Sequence, residues 1–203
     1  MYLPWGKRTV DLLAALLISA VALPLLAALA ICVRIKLGSP VLFVQRRTGQ
    51  HGASFLLRKF RTMNNARDEH GALLPDAERL SPFGAWLRST SVDELPSLLN
   101  VLRGEMSLVG PRPLLPEYLP RYSRRQATRH DVPPGITGLV QVTGRNALDW
   151  SEKLARDAWY ARNQSFKLDL WILWRTIIVV LKREGIAADT HATMPRFGGR
   201  PEG

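Results

Sequence analysis

Residues 12–33 carry no charged side chain: LLAALLISAVALPLLAALAICV. At ~1.5 Å of rise per residue, a helix over this run crosses a ~30 Å hydrocarbon layer. Leucine and alanine favour a helix, and lipid, which offers the backbone no partners, demands one. Pro24 sits mid-run, where its missing N–H and its clash with the preceding turn predict a kink. Lys7 and Arg8 precede the run, and Arg34 and Lys36 follow it. With positive charge at both ends, the positive-inside rule selects no orientation. Two topologies fit. Either the helix enters, breaks at Leu23 and Pro24 and returns to the same face, or it spans with a proline kink. A cleaved signal peptide, with Ala27, Ala28 and Ala30 near its end, fits less well, because the run is long and basic residues follow it.

Shorter patterns follow. PVLFVQR at 40–46 and SFLLRKF at 54–60 read as strands, joined through RTGQHGA into a hairpin with a longer-than-minimal loop. Residues 64–76 are polar and read as loop or short helix, and 81–89 as a short helix. Val92, Leu95, Leu98, Leu99 and Leu102 recur at helical spacing over 91–102. A turn-rich stretch covers 104–116, a basic helix is expected over 117–130, and PPGITG at 133–138 reads as loop. Residues 151–163 suit a helix of mixed polarity. LDLWILWRTIIVVL at 168–181 is short for a span and is interrupted by Asp169 and Arg175. It fits a core helix or one lying at a membrane surface, where Trp171 and Trp174 are at home. The tail from Glu184 is expected to wrap the surface. The expected fold class is α+β: a membrane anchor over 1–36, then a cytoplasmic domain over 37–203 with a β-hairpin and surface or amphipathic helices.

Composition narrows the function. At 46% apolar and 22% charged residues the chain is too hydrophobic to be disordered. A single cysteine excludes an internal disulfide or a four-cysteine metal site, and suits a cytoplasmic setting. The four histidines lack zinc spacing, which leaves metals bound through oxygen. A net charge of +11 favours an anionic partner: nucleic acid, anionic lipid or a phosphorylated substrate. Neither G-x-x-x-x-G-K-[ST] nor G-x-G-x-x-G occurs, which disfavours P-loop and Rossmann enzymes.

Candidate chemistry centres on Asp93 and Glu94. Ser91 with Glu94 forms a capping-box pattern, so a helix is expected to start here, where unpaired N–H groups favour negative charge. Adjacent helical residues point about 100° apart, so the two acids serve different roles. The plainer alternative is a cap and an ordinary first-turn acid. Arg112 lies between two prolines in GEMSLVGPRP at 104–113, and its rigid fork of donors suits a phosphate. It equally suits a buried brace. Lys59, Arg61, Arg88 and Arg145 lie near strand and loop ends, where they either converge on a diphosphate or are solvated.

These segments together resemble the bacterial sugar transferase family, the monotopic polyprenyl-phosphate phosphoglycosyl transferases. The matching motifs are KR…D at 7–11, FVQRRTG at 43–49, KFRTM at 59–63 and SVDELPSLLNVLRGEMSLVGPRP at 91–113. PGITGLVQVTGRN at 134–146, D-x-x-Y at 157–160 and LDL at 168–170 complete the set. The resemblance implies a re-entrant helix at the bacterial inner membrane, with the active site on the cytoplasmic face. It implies Asp93 as nucleophile, with Glu94 organising the site, and Mg²⁺ held by Asp93 and Glu94. Substrate or phosphate contacts are implied for Lys59, Arg61, Arg88, Arg112, Gln141, Arg145, Asp157 and Tyr160. The implied partners are a UDP-sugar, polyprenyl phosphate and an anionic phospholipid membrane, without nucleic acid; a homodimer is left open. Many relatives carry Ser-Pro at the helix break, where this chain has Leu23 and Pro24. Thr193, Met194 and Phe197 in the tail resemble enzymes acting on UDP-N,N'-diacetylbacillosamine, which makes that the expected donor. The alternative is transfer of glucose or galactose 1-phosphate. A more distant one is a membrane-tethered nucleic-acid binder using RYSRRQATRH at 121–130, which has few aromatics for stacking.

Overall fold

The computed structural model describes residues 4–144, 148–182 and 197–198. Helix α1 (Pro4–Leu37) takes up the apolar run. Among the described residues one helix is long and apolar enough to cross a membrane, over Trp5–Leu37. It continues through Leu23 and Pro24, so Pro24 lies inside α1. A proline removes only its own N–H bond, and the turns on either side hold. Lys7, Asp11 and Ala15 are buried near one end and Leu29 and Val33 near the other. Between them Leu17, Val21, Leu23 and Leu25 are exposed. Ala15 packs with Phe55, Leu57 and Val101, while Leu29 and Val33 pack with Phe60 and Leu87. Both ends of α1 thus rest on the folded body formed by the rest of the chain.

Strands β1 (Leu42–Thr48) and β2 (Ser54–Phe60) pair antiparallel, as the alternation predicts. Their register sets Arg47 opposite Phe55 and Phe43 opposite Lys59. Short helices α2 (Asp76–Arg79) and α3 (Pro82–Ser89) follow, the second capped by the Ser81 hydroxyl on Gly84 N–H at 3.0 Å. Residues 92–102 form a 3-10 helix (Val92–Ser97) running into α4 (Leu98–Leu102).

Two expectations of loop are corrected. Ser107–Val109 and Gly135–Thr137 form a short parallel pair, β3 and β4. Three-residue strands carry no readable period, and glycine makes this pairing possible. A Cβ on Gly135 would lie 2.1 Å from the Gly110 nitrogen. The basic helix expected over 117–130 is also corrected. Pro120 and the Ser123 capping box split it into a 3-10 turn (Pro116–Arg121), α5 (Arg124–Ala127) and a second turn (Thr128–His130). Helices α6 (Leu139–Thr143), α7 (Trp150–Asn163) and α8 (Phe166–Lys182) complete the described chain. On α8, Leu170, Trp171, Trp174, Ile177 and Leu181 are exposed, a strong apolar display for a surface helix.

The N-terminal motif KR…D ties α1 to this body. Buried Lys7 pairs with Asp169 of α8, which also accepts from the Tyr160 hydroxyl at 2.6 Å. Asp11 accepts from Leu108 N–H at 3.1 Å, and Arg8 donates to the carbonyls of Val101 and Leu102 at the end of α4. Removing one member of a buried pair leaves an uncompensated charge. Asp169→Ala, which deletes the counter-charge of Lys7, is expected to cost about 3–5 kcal/mol. The readout is a lowered Tm in detergent, with Lys7→Met plus Asp169→Leu regaining most of the loss.

Candidate active site

Asp93 and Glu94 enter the fold through an unusual turn. Ser91 adopts φ +57°, and its side chain does not cap the helix that follows. The capping-box reading is therefore corrected: Glu94 N–H bonds the Ser91 carbonyl at 3.2 Å, but the Glu94 carboxylate turns to cations instead. Pro96 is accommodated because the first turn of a helix needs few N–H donors. The 3-10 helix and α4 are stitched to β2 by Ser97 Oγ donating to the Arg58 carbonyl at 2.8 Å. Asn100 Nδ2 donates to the Leu56 carbonyl at 2.8 Å. That stitching sets Lys59 of β2 against Glu94.

Lys59 Nζ donates to Glu94 Oε1, and Arg112 Nη2 donates to the same oxygen at 3.0 Å. Arg88 attracts Asp93 and places its Nε on Thr62 Oγ1 at 3.0 Å. The cavity here is lined by Arg47, Lys59, Glu94, Ser97, Arg112 and Ile136, among others. Burial and the neighbouring Glu94 push the Asp93 carboxyl up to about 6, against the pull of Lys59, Arg112 and Arg88. Burial alone would raise Glu94 as well, but Lys59 and Arg112 hold it well below the usual carboxylate range. Two adjacent acids therefore have opposite electrostatic characters. The Asp93 carboxylate forms no ion pair among the described residues, so its lone pairs are not tied up in one.

Of the residues expected at this site, Lys59, Glu94 and Arg112 line the cavity, while Asp93 and Arg88 stand outside its lining, with Asp93 coupled by charge to Lys59, Glu94, Arg112 and Arg88. Arg61 does not line the cavity: it is buried at the end of α1, with Nη1 on the Ser39 carbonyl at 2.8 Å. Gln141 lies on α6 beside Gly138, also outside the lining. The structure places Asp157 and Tyr160 in internal contacts. Asp157 is buried against Arg129, and Tyr160 donates to Asp169 and the Val109 carbonyl. Burial and Asp169 push the Tyr160 phenol far up, so it stays a neutral donor. Arg145, Thr193 and Met194 lie outside the described residues. Phe197 packs with Tyr118, Tyr122 and Leu154.

Two arginines at or behind the cavity were missed. Arg47 lines it, donates to the Pro113 carbonyl at 3.3 Å, and is lowered to about 10 by burial and by Arg112. Strand alternation places Arg47 on the Phe43 and Gln45 face, but only the hairpin register shows that this face meets the Arg112 loop. Arg129 was hidden in a basic run that reads as one helix. Among the described residues no group of three or more His, Cys, Asp or Glu could hold a metal. The oxygen donors on offer are the Asp93–Glu94 pair.

Comparison with known proteins bears on the family. Residues 2–183 match the family described as bacterial sugar transferase. The chain is 53% identical over 194 residues to the uncharacterized sugar transferase EpsL of Bacillus subtilis (strain 168), covering 95% of this chain and 96% of that one. It is 40% identical to the UDP-glucose:undecaprenyl-phosphate glucose-1-phosphate transferase of Caulobacter vibrioides, over 87% of this chain and 67% of that protein. The undecaprenyl-phosphate galactose phosphotransferase of Salmonella typhimurium is 37% identical over 88% of this chain, which spans only 41% of that longer protein. A family match over nearly the whole chain and a cationic cavity built around the SVDELP segment lead to one conclusion: the chain belongs to the bacterial sugar transferase family.

Proposed function

We propose that the chain transfers a sugar 1-phosphate from a UDP-sugar to polyprenyl phosphate, through a phosphosugar ester on Asp93. An Asp93 oxygen attacks the sugar-bearing phosphorus, and the bond to the bridging oxygen breaks. UMP leaves with that oxygen and its electron pair. A phosphate oxygen of the lipid then attacks the same phosphorus, freeing the Asp93 carboxylate and forming polyprenyl diphosphate sugar. The observation that carries this reading is a buried Asp93 beside a Glu94 that gathers Lys59 and Arg112. A carboxylate is a weak nucleophile unless cations stabilise the charge developing on its target. Lys59, Arg88 and Arg112 supply that positive field.

The donor set also fits Mg²⁺, which takes carboxylate, phosphate and water oxygens and needs few protein ligands. Asp93 and Glu94 would hold it together with the donor diphosphate. When bound, it screens the diphosphate charge. The re-entrant topology is supported by α1 itself. Both of its ends pack on the folded body, at odds with ends on opposite sides of a bilayer. Its exposed apolar middle and the tryptophan face of α8 suit a monotopic protein on the cytoplasmic face of the bacterial inner membrane. This reading requires the lipid phosphate to reach Asp93 from that surface.

For the donor, relatives named for glucose and galactose transfer favour a UDP-hexose over UDP-N,N'-diacetylbacillosamine. The tail residue Phe197, one basis for the latter, is spent on packing. The deciding experiment is intact-protein mass measurement after incubation with Mg²⁺ and single UDP-sugars, without lipid. We expect a hexose-phosphate adduct and stoichiometric UMP. Replacing Mg²⁺ with EDTA should give neither. UMP release with no adduct would sink the covalent route, an adduct in EDTA would remove the metal, and an adduct from diacetylbacillosamine alone would reverse the donor choice.

A further inference from the structure

We propose that Asp157 and Arg129 are positioning residues that set where the Arg112 guanidinium stands over Glu94 and the reacting phosphate. This rests on reading Arg112 as part of the phosphate-binding field. Arg129 and Asp157 are 2% and 4% exposed. Arg129 places Nε and Nη2 on Asp157 Oδ2 at 3.1 and 2.7 Å, and Nη2 also donates to the Arg112 carbonyl at 2.7 Å. The guanidinium thus spans a carboxylate on α7 and the backbone of the active-site loop.

That loop is held at every carbonyl from Pro111 to Leu114. Pro111 accepts from Gly135 N–H at 3.0 Å, Arg112 from Arg129, Pro113 from Arg47, and Leu114 from Thr48 N–H at 3.0 Å. Pro111 and Pro113 each have a fixed φ. The Arg112 side chain, by contrast, is half exposed at the cavity and reaches Glu94. Two of the four holds come from backbone pairing with β4 and β1. The bond on Arg112 itself is charge-assisted, and such bonds are shorter and stronger than neutral ones. Asp157 keeps Arg129 neutralised and aimed. Buried ion pairs are weak sources of stability, since apolar pairs of similar volume serve as well. A pair placed on the carbonyl of an active-site arginine therefore has more to do with geometry than with folding.

The test is a cycle on the full chain in detergent. It reads UMP release from the donor that turns over among UDP-glucose, UDP-galactose and UDP-N-acetylgalactosamine. Arg129→Met with Asp157→Leu removes both charges while keeping apolar volume. We expect Tm near that of the parent, KM for the UDP-sugar within about threefold, and kcat lowered by about 10²-fold, the usual cost of a misplacement near 1 Å. In an Arg112→Met background the same pair of changes should lower kcat no further, because the pair acts through Arg112. A full additional loss there, or an unchanged kcat in the parent background, overturns the proposal and leaves the site reading intact. An Arg112→Met protein with parental kcat overturns the site reading and this proposal with it. Should the double variant not fold, Arg129→Lys takes its place. It keeps the charge opposite Asp157 but lacks the fork, and the same two outcomes apply.

Discussion

Asp93→Asn is expected to abolish UMP release while raising thermal stability. Asparagine keeps the size of the side chain and removes the nucleophile, so kcat should fall by about 10⁴-fold or more. The stability gain follows from the titration of Asp93. It titrates at about 6 in the fold, against an ordinary value of 3.8, because burial and Glu94 disfavour its ionised form. The fold therefore binds this proton more tightly than the unfolded chain does. That contribution favours folding at acid pH and is lost as pH rises from about 4 through 6. Above that window the native state carries an ionised, poorly solvated carboxylate, a penalty on the order of 2–3 kcal/mol. Asparagine removes it. The same titration predicts an acid limb near pH 6 in kcat/KM, since only the carboxylate attacks. A variant with parental turnover, or one that loses both activity and Tm, would contradict the role given to Asp93.

Glu94→Gln is expected to impair turnover by about 10²–10³-fold, with the opposite effect on stability. Glu94 is held well below its ordinary value by Lys59 and Arg112. Its contribution is present above the usual carboxylate range and lost as pH falls through the depressed value. Glutamine leaves Lys59 and Arg112, which are only partly buried, facing one another without the shared acceptor charge, at a cost of about 1–3 kcal/mol. It also removes the like charge that helps to raise Asp93, so residual activity should show its acid limb below pH 6. Adjacent acids thus give opposite Tm shifts on neutralisation. Parallel shifts measured by thermal melts at pH 7.5 would show that both are ordinary surface carboxylates.

The hairpin and the helices at 150–163 and 166–182 were legible because each has a long enough hydrophobic period. The parallel strands around Gly110 and Gly135 were not, because three residues carry no period and their pairing depends on a backbone approach within 2.1 Å of an absent Cβ. At the site, Lys59, Asp93, Glu94 and Arg112 came from motifs, and Arg88 from its place near an element end. Asp157 came from its motif too, but its burial against Arg129 did not: a buried carboxylate and a substrate-contacting one look alike in a sequence. Arg129 shares a run with Arg121, Arg124 and Arg125, and nothing in that run marks which basic side chain turns inward.

Local hydrophobic pattern and short contiguous motifs were enough for the apolar N-terminal helix, the hairpin, the family and the Asp93–Glu94 pair. Tertiary structure alone decided that both ends of α1 rest on one body, that Glu94 binds Lys59 and Arg112 rather than capping its helix, and that Arg47 and Arg129 grip the Arg112 loop. Each of these depends on contacts between residues far apart in the chain, where desolvation and geometry, not residue type, choose the partner.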